Sequence, residues 1–569
     1  MKNPEIAKVF RDIAAILEIK ADNPFRIRAY ERAAQNIENL PGDIADYAAG
    51  GKLRQIPGIG QDLADKINEF LKTGKIKFYS QLRKQVPLAI LELLEIPGVG
   101  PKTAKLLHEQ LQVKSLSGLE KAIRSKKLEG LPGIKQKSIE NIVKGIAILK
   151  EGRQRMSLAV AKQVSDEFIR PLEKLPETEN ISAAGSLRRR KETVRDIDIL
   201  VTSRKPEKIM GVFIKLPPVK DVLAHGLTKS AVRTKDGVQV DCRVVEARSF
   251  GAALVYFTGS KNFNIKLRKL AIKKGLKVNE YGVFKKDKFI CGGSEEEVFK
   301  ALGMKFIEPE LREDNGEVEL ALRGKLPELV SLGDIKGDLH AHSTWSDGGS
   351  SIEEMASACK KRGYSYVAIT DHSQGLKIAG GLSPEDLIRK KRQIDKINQG
   401  LKGFRVLFGA EVDIDSQGNL DYPDGILKEF DIVVAAIHSG FKQSKEILTR
   451  RLVNACKNKY AHIIAHPTGR LWGSREAYDL DFNELFKAAA GTNTCMEINS
   501  FTQRLDLNDS NCRRAKEMGV KIAINTDAHS TDQLNAMELG ISVARRGWLG
   551  KADVINTLSL PELLAAIKK

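Results

Sequence analysis

AAGSLRRRKETVRDIDILV (Ala183–Val201) ends in strict alternation, with Asp196 and Asp198 interleaved with Ile197 and Ile199. A period of two marks a strand and sends both carboxylates to one face and both isoleucines to the other. Ahead of them Gly185 and Ser186 follow a short apolar run and open a turn or helix, with Arg188 and Arg189 next. Downstream, GVQVDCRVV (Gly237–Val245) reads as a further strand with Asp241 at its middle. Three carboxylates on adjacent strands can hold two divalent cations roughly 4 Å apart, which activates a primer hydroxyl and stabilises a departing pyrophosphate. The Gly-Ser backbone and the two arginines would grip a triphosphate. A lone Asp-x-Asp more often just faces solvent. The Gly-Ser element upstream and the third aspartate downstream favour the chemical reading.

The 569 residues exceed what one core can serve, so about three to five domains are expected. A composition 42% hydrophobic and 29% charged is that of an ordinary globular protein. No apolar run approaches the length a membrane-spanning helix needs, and the amphipathic N-terminus carries both charge signs, unlike a signal peptide. Six scattered cysteines with no CxxC pair fit reduced thiols in a cytoplasm. The net charge of +20 favours polyanionic partners, although a lysine-rich soluble surface gives the same number. Of nine histidines, seven follow residue 335, so the last part of the chain uses imidazole.

Toward the N-terminus one pattern recurs: LRQIPGIGQDLADKINEFL (Leu53–Leu71), LLEIPGVGPKTAKLLHEQL (Leu93–Leu111) and, more weakly, LEGLPGIKQKSIENIVKGI (Leu128–Ile146). Each is a Pro-Gly turn that opens an amphipathic helix. Gly permits the positive φ of such a turn, and the helix start then offers free N–H groups to a phosphate. Such contacts read no base, so they imply sequence-independent DNA binding through Gly58, Gly60, Gly98 and Gly100. A single Pro-Gly turn commonly just joins packed helices. Two good copies say more, and Lys135 spoils the third. The pattern is similar to the helix-hairpin-helix motif.

From Gly337 onward seven short apolar runs alternate with helical stretches: GDLHAH (337–342), YVAITDHS (366–373), RVLFGAEVDI (405–414), DIVVAAIHSG (431–440), HIIAHPTG (462–469), TCMEINSF (494–501) and VKIAINTDAHS (520–530). That alternation predicts parallel strands in a βα barrel, with its chemistry at the C-terminal strand ends. Nine residues at or just past those ends are candidate metal ligands: His340, His342, Asp347, His372, Glu411, His438, His466, Asp527 and His529. One such histidine alone is better read as a hydrogen-bonded structural residue. Nine in equivalent places are not. Mixed imidazole and carboxylate donors suit Zn²⁺, Mn²⁺ or Fe²⁺, up to three ions. His462 falls out of phase and reads as structural. Arg470 and Lys442 lie just past strand ends and read equally as phosphate contacts or as solvated loop charge.

The first 310 residues or so resemble the X family of DNA polymerases, the group of DNA polymerase beta. The resemblance rests on the Gly-Ser-x-Arg-Arg…Asp-x-Asp stretch, on YFTGSKNFNIKLRKLA (Tyr256–Ala271), on VNEYGVF (Val278–Phe284) and on the first Pro-Gly hairpin. It implies that Asp196, Asp198 and Asp241 hold Mg²⁺ or Mn²⁺, and that Gly185, Ser186 and Arg189 contact the nucleotide phosphates. It implies that Tyr256, Phe257 and Gly259 line the sugar pocket, that Asn264 meets the incoming nucleotide and that Arg268 meets the template side. Lys66 falls at the family's Schiff-base lysine, which implies a lyase activity. Against that stands Asp62, whose charge would raise the amine's pKa, and the reading of Lys66 as a solvated helix lysine. Residues 335–530 resemble the polymerase and histidinol phosphatase (PHP) superfamily. This second likeness implies metal-assisted phosphoester hydrolysis with one ion on His340, His342, Glu411 and Asp527, a second on Asp347, His372 and His529, and a third on Glu411, His438 and His466.

The expected organisation is a helical, lyase-like DNA-binding domain over 1–80, a helical DNA-binding subdomain over 81–150, an α+β nucleotidyltransferase palm over 151–248, a thumb over 249–312, a linker over 313–334 and a distorted (β/α)₇ barrel over 335–569. The expected partners are gapped or primer-template DNA and deoxynucleoside triphosphates, with no membrane, for a monomer associated with the nucleoid in the cytoplasm. The expected activity is gap-filling synthesis plus 3′–5′ exonuclease or abasic-site endonuclease action. A barrel acting as a small-molecule phosphatase or scaffold, or a DNA end-binding module, are the alternatives.

Overall fold

The computed structural model describes residues 3–569 apart from 21, 39–43, 57, 87–89, 91–92, 95, 97–98, 133, 135, 137, 141, 144, 147–154 and 473. Contacts divide the chain into two compact units, residues 1–153 and most of 154–569.

The first unit is helical. Helices Asn3–Ile19 and Pro24–Glu38 bury Ile6, Phe10, Ile13 and Leu17 against Ala33, Ala34 and Ile37, the spacing of one apolar helix face. Phe10 meets Tyr30 edge-on at 5.5 Å. Helices Gln61–Thr73 and Pro101–Leu111 begin just past the first two Pro-Gly pairs, as the sequence predicts. Gly98, Gly133 and Lys135 lie outside the described residues.

The second unit begins with a mixed sheet. Its strands are β1 (Asn180–Ala183), β2 (Asp196–Thr202), β3 (Val219–His225), β4 (Lys229–Thr234) and β5 (Gln239–Val245), in spatial order β1-β2-β5-β4-β3. Only β2 and β5 run parallel. Helices Leu158–Glu173 and Pro206–Phe213 pack on one face, burying Phe168 and Phe213 against Ile197, Ile199 and Val201. The thumb region follows: helices Phe250–Thr258 and Lys261–Lys273, a three-stranded meander β6 (Lys277–Asn279), β7 (Gly282–Lys285) and β8 (Lys288–Cys291), and helix Glu295–Ala301. The stretch 313–334, read from its polarity as a linker, is packed instead. It contains helix Glu317–Leu322, and Glu313 is held by Arg189 and Arg546. Part of its charge is matched within the fold, as in the pairs of Lys266 with Asp314 and Glu319.

The barrel is a parallel sheet in sequence order: β9 (Gly337–Ala341), β10 (Tyr366–Ile369), β11 (Arg405–Asp413), β12 (Ile432–Ala436), β13 (Ile463–Ile464), β14 (Cys495–Asn499) and β15 (Ile522–Asn525). First and last strands meet through the bridge Ala341–Ala528, with His342 N–H donating to Ala528 O at 2.8 Å and Asp527 N–H to His340 O at 2.9 Å. The strands are buried on both faces, as β9, β10, β12 and β14 show throughout their length. That two-sided burial is the mark of parallel sheets covered by helices. The (β/α)₇ barrel expected from seven apolar runs is therefore the fold.

Candidate active sites

In the palm, β2 and β5 pair so that Asp198 stands directly opposite Asp241 and Asp196 opposite Gln239. The alternation in DIDILV is realised: Ile197 and Ile199 are buried while Asp196 and Asp198 are half-exposed on the other face. Gly185 caps this face. Its φ is +61°, and a Cβ there would fall 2.3 Å from Asp198 Oδ2, so only glycine lets the short helix Gly185–Arg188 lie over the carboxylate. Gln239 Nε2 donates to Asp241 Oδ2 at 2.8 Å and Arg195 to Asp196 Oδ2 at 3.2 Å. Burial, helped by the charges of Asp196 and Asp241, pushes the Asp198 carboxyl up to about 6. Three carboxyl groups on one face, one of them half-buried under a glycine cradle, form an oxygen donor set suited to Mg²⁺ or Mn²⁺.

The residues expected around the nucleotide are near this face, but several are occupied by the protein itself. Arg188 makes a two-pronged pair with Glu295, both contacts 2.8 Å, and donates to Thr258 Oγ1. Arg189 pairs with Glu313 at 2.9 Å and donates to the Thr258 carbonyl at 2.7 Å. The Asn264 amide donates to the Tyr256 carbonyl at 2.6 Å, and Arg268 is exposed, reaching back to Asn264 O at 3.3 Å. Tyr256 and Phe257 stack edge-on at 5.1 Å, with Arg243 over Phe257. Ser186 is half-buried on the helix Gly185–Arg188, and Gly259 ends the helix Phe250–Thr258.

The barrel end gathers all nine candidate ligands. In each of three groups, one ligand atom per residue lies within 4.8 Å of every other: His342, Asp347, His372 and His529; His340, His342 and Asp527; His372, Glu411 and His438. His466 Nε2 adds to the last, 2.9 Å from Glu411 Oε1. These groups overlap the sets the resemblance implies, with His342 also reaching the Asp347 group and His372 also reaching Glu411. Glu411 is the hub, with His340 Nε2 at 3.4 Å, His342 Nε2 at 3.5 Å, His372 Nδ1 at 2.9 Å and His438 Nε2 at 3.2 Å. Against burial, the charges of His438, His372 and His340 hold its carboxyl well below the usual range. His340 Nε2 and His466 Nδ1 are buried with no hydrogen-bond partner among the described residues. Such orphaned imidazole nitrogens beside buried carboxylates fit a bound cation.

Four family models match the chain: a helix-hairpin-helix domain over residues 1–76, a SAM-like helix-hairpin-helix tandem over 90–147, the DNA polymerase beta thumb over 253–313 and the PHP domain over 338–500. The DNA polymerase/3′-5′ exonuclease PolX of Bacillus subtilis (strain 168) is 39% identical over 573 residues, covering 100% of both chains. The chain belongs to the X family of DNA polymerases that carry a PHP domain. DNA polymerase lambda of Rattus norvegicus is 26% identical over 345 residues, 55% of this chain and 56% of that one. A probable phosphatase of Thermoanaerobacter sp. (strain X514) is 35% identical over 231 residues, 39% of this chain and 89% of that one.

Three further features of this X-family polymerase bear on the sites. Lys66 is the cation of an ion pair with Asp62 one turn away and lies 5.3 Å over the Phe78 ring. The contact expected to oppose a free amine is made. In the hairpins, Gly58 has φ +77° and so needs to be glycine, while Gly60 and Gly100 start their helices with no side-chain cap and open space about them. The third is Glu497, which the sequence reading missed. It is fully buried, and its oxygens accept from His340 Nδ1 at 2.8 Å, Asn525 Nδ2 at 2.9 Å, Asn499 Nδ2 at 3.1 Å and His466 N–H at 2.8 Å. Its signal was a lone carboxylate inside the apolar strand CMEIN.

Proposed function

We propose that this polymerase fills short gaps during DNA repair and that its barrel trims 3′ ends as a 3′–5′ exonuclease. The substrates on this reading are gapped or primer-template DNA and deoxynucleoside triphosphates. The observation that carries it is the pairing of Asp198 with Asp241 across β2 and β5 in the same chain as the nine candidate ligands gathered at the barrel end. The name of the Bacillus subtilis relative, which joins the two activities, supports it. Asp196, Asp198 and Asp241 would hold Mg²⁺ or Mn²⁺, and the nine barrel residues Zn²⁺, Mn²⁺ or Fe²⁺. Bound there, such ions activate the attacking oxygen and offset charge on the reacting phosphate.

The chain's own residues set up both sites. Gln239 fixes the Asp241 carboxylate from one side. Gly185 lets a helix start approach Asp198, and on this reading the N–H groups of that start would hold the triphosphate. Glu497 keeps the His340 proton on Nδ1, so that Nε2 turns its lone pair toward Glu411 and Asp527. The two hairpin helices present N–H groups to backbone phosphates without touching bases.

A second reading, a phosphatase acting on small phosphomonoesters, is favoured by the name of the Thermoanaerobacter relative. Primer extension on short-gapped DNA, with Asp198→Ala and His342→Ala run in parallel, separates these. Incorporation should vanish in the first variant only, and Mn²⁺-dependent primer degradation in the second only. Degradation that persists in His342→Ala, or a wild-type chain that cleaves only small phosphomonoesters, overturns the exonuclease assignment.

A further inference from the structure

The loop after β14 carries Arg504 to the edge of the ligand cluster. Its Nε lies 3.5 Å from Asp527 Oδ2, while Asp527 Oδ1 faces His342 Nε2 at 3.1 Å and His340 Nε2 at 3.5 Å. One carboxyl group thus separates the guanidinium from two candidate ligands. Asn499 Nδ2 also donates to Asp527 Oδ2, at 3.0 Å, so the carboxylate is oriented without the arginine. A contact of 3.5 Å along Nε is an ion pair, not a fork, and leaves the guanidinium's paired nitrogens unused by Asp527. Arg504 Nη1 is buried and has no hydrogen-bond partner among the described residues. A charged N–H left unmatched in a buried place is unfavourable, and in a native fold it calls for an acceptor from outside the chain.

The backbone here is strained in a way that fixes the arginine. Leu505 has φ +44°, and two candidate ligands share the left-handed region, Asp527 at +53° and His466 at +28°. Branched and bulky side chains rarely adopt it, and such outliers gather at functional sites. Arg470 holds the loop in place. It donates to the carbonyls of Arg504, at 2.9 Å, and Leu505, pairs with Glu192 of the palm at 3.1 Å and stacks on Trp472. Arg470, one of two candidate phosphate contacts in the sequence, is therefore committed to protein partners, and the other, Lys442, is exposed. Arg504 has the free capacity that Arg470 lacks, in a buried place that the exposed Lys442 does not share.

We propose that Arg504 binds the phosphate at which the barrel cleaves, taking non-bridging oxygens through Nη1 and its neighbour. The inference rests on the hydrolase reading above. A planar guanidinium matches two phosphate oxygens, which a lysine's point charge does not. Glu192 and Arg470 act as positioning residues for it.

The test uses the full-length protein with Mn²⁺ and the variants Arg504→Met and Arg504→Lys. Binding of inorganic phosphate by calorimetry, bound metal by elemental analysis, and primer degradation are measured together. Primer extension on the same preparations confirms that the chain is folded. The expected result is unchanged metal content and extension, phosphate binding weakened about 10- to 100-fold in Arg504→Met, a matching fall in degradation, and partial recovery in Arg504→Lys. Phosphate binding that equals wild type in Arg504→Met overturns the proposal. So does a loss of metal in that variant, which would make Arg504 a support for Asp527. A wild-type protein that binds phosphate but degrades no primer would instead sink the exonuclease reading and leave the phosphate site standing.

Discussion

Nδ1 of His340 lies 2.8 Å from a Glu497 carboxylate oxygen, with both side chains fully buried. The contact aims the other ring nitrogen at Glu411 and Asp527 and so couples a residue with no place among the nine candidates to the whole cluster. Carboxylates in this position tune metal affinity by about 10- to 100-fold. Glu497→Gln keeps the shape but offers an amide N–H where an acceptor is needed. Metal titration of the full-length variant should give affinity weaker by that factor, with primer extension unchanged. Equal affinity would show that the His340 orientation is set elsewhere.

Gly185 offers a test of the palm geometry. In Gly185→Ala the new Cβ would fall 2.3 Å from Asp198 Oδ2 at a φ of +61°. Both strain and overpacking oppose it, at a cost of about 1–3 kcal/mol. Incorporation should fall by about 5- to 150-fold, the equivalent of that cost, while barrel activity persists. A variant that extends primers at the wild-type rate would mean the helix Gly185–Arg188 can move away from Asp198 freely.

Glu295 joins palm to thumb. It accepts from Arg188 and from the fully buried Arg312, whose contact is 2.6 Å. Although burial alone would raise it, these two arginines hold its carboxyl down at about 2. Breaking a buried pair by removing one partner costs about 3–5 kcal/mol. Arg312→Ala should lower the denaturant midpoint accordingly. Glu295→Gln, which leaves two cations facing an amide, should lower it as well. A midpoint within error of wild type for Arg312→Ala contradicts this account.

His462 supplies a pH test away from the ligand cluster. Its Nδ1 accepts the Val433 N–H at 2.9 Å, which only the neutral ring can do. Burial, reinforced by Lys569, lowers its pKa from 6.5 to about 4. The folded state therefore binds fewer protons than the unfolded chain between those values. The contribution is complete above pH 6.5 and is lost as pH falls toward 4, to a total of about 3 kcal/mol. Stability curves for wild type and His462→Gln should converge over that range as pH drops. Parallel curves would show that the ring is not held neutral.

The ligand cluster was legible because strand ends are periodic in sequence. Six of the seven apolar runs of the barrel end in or just before a candidate histidine or carboxylate, and parallel packing brings equal positions to one end. His462 was legible by the same rule, one step out of phase and bonded to the backbone of the preceding strand, β12. Glu497 and Arg504 were not: Glu497 acts through His340, distant in sequence, and Arg504 lies in a loop that only the fold brings beside Asp527. Arg188, Arg189 and Asn264 mark a different limit. Their chemistry suits a nucleotide, yet Glu295, Glu313 and the Tyr256 carbonyl bind them first, and no motif announces an internal competitor. The polar stretch 313–334 misled for the same reason, since Glu313, Asp314 and Glu319 are matched within the fold.

The bridge between Ala341 and Ala528 closes the barrel with two segments from opposite ends of the domain sequence. A chain emerging from a ribosome completes β2 and β5 of the palm well before β15 exists. His340 and His342 must wait for Asp527 through the synthesis of everything between them. Closing a pairing of such long sequence separation is slow, and domains made in order tend to fold in order. The polymerase half of the molecule is thus finished first, and the hydrolytic half comes into being only with the last strand.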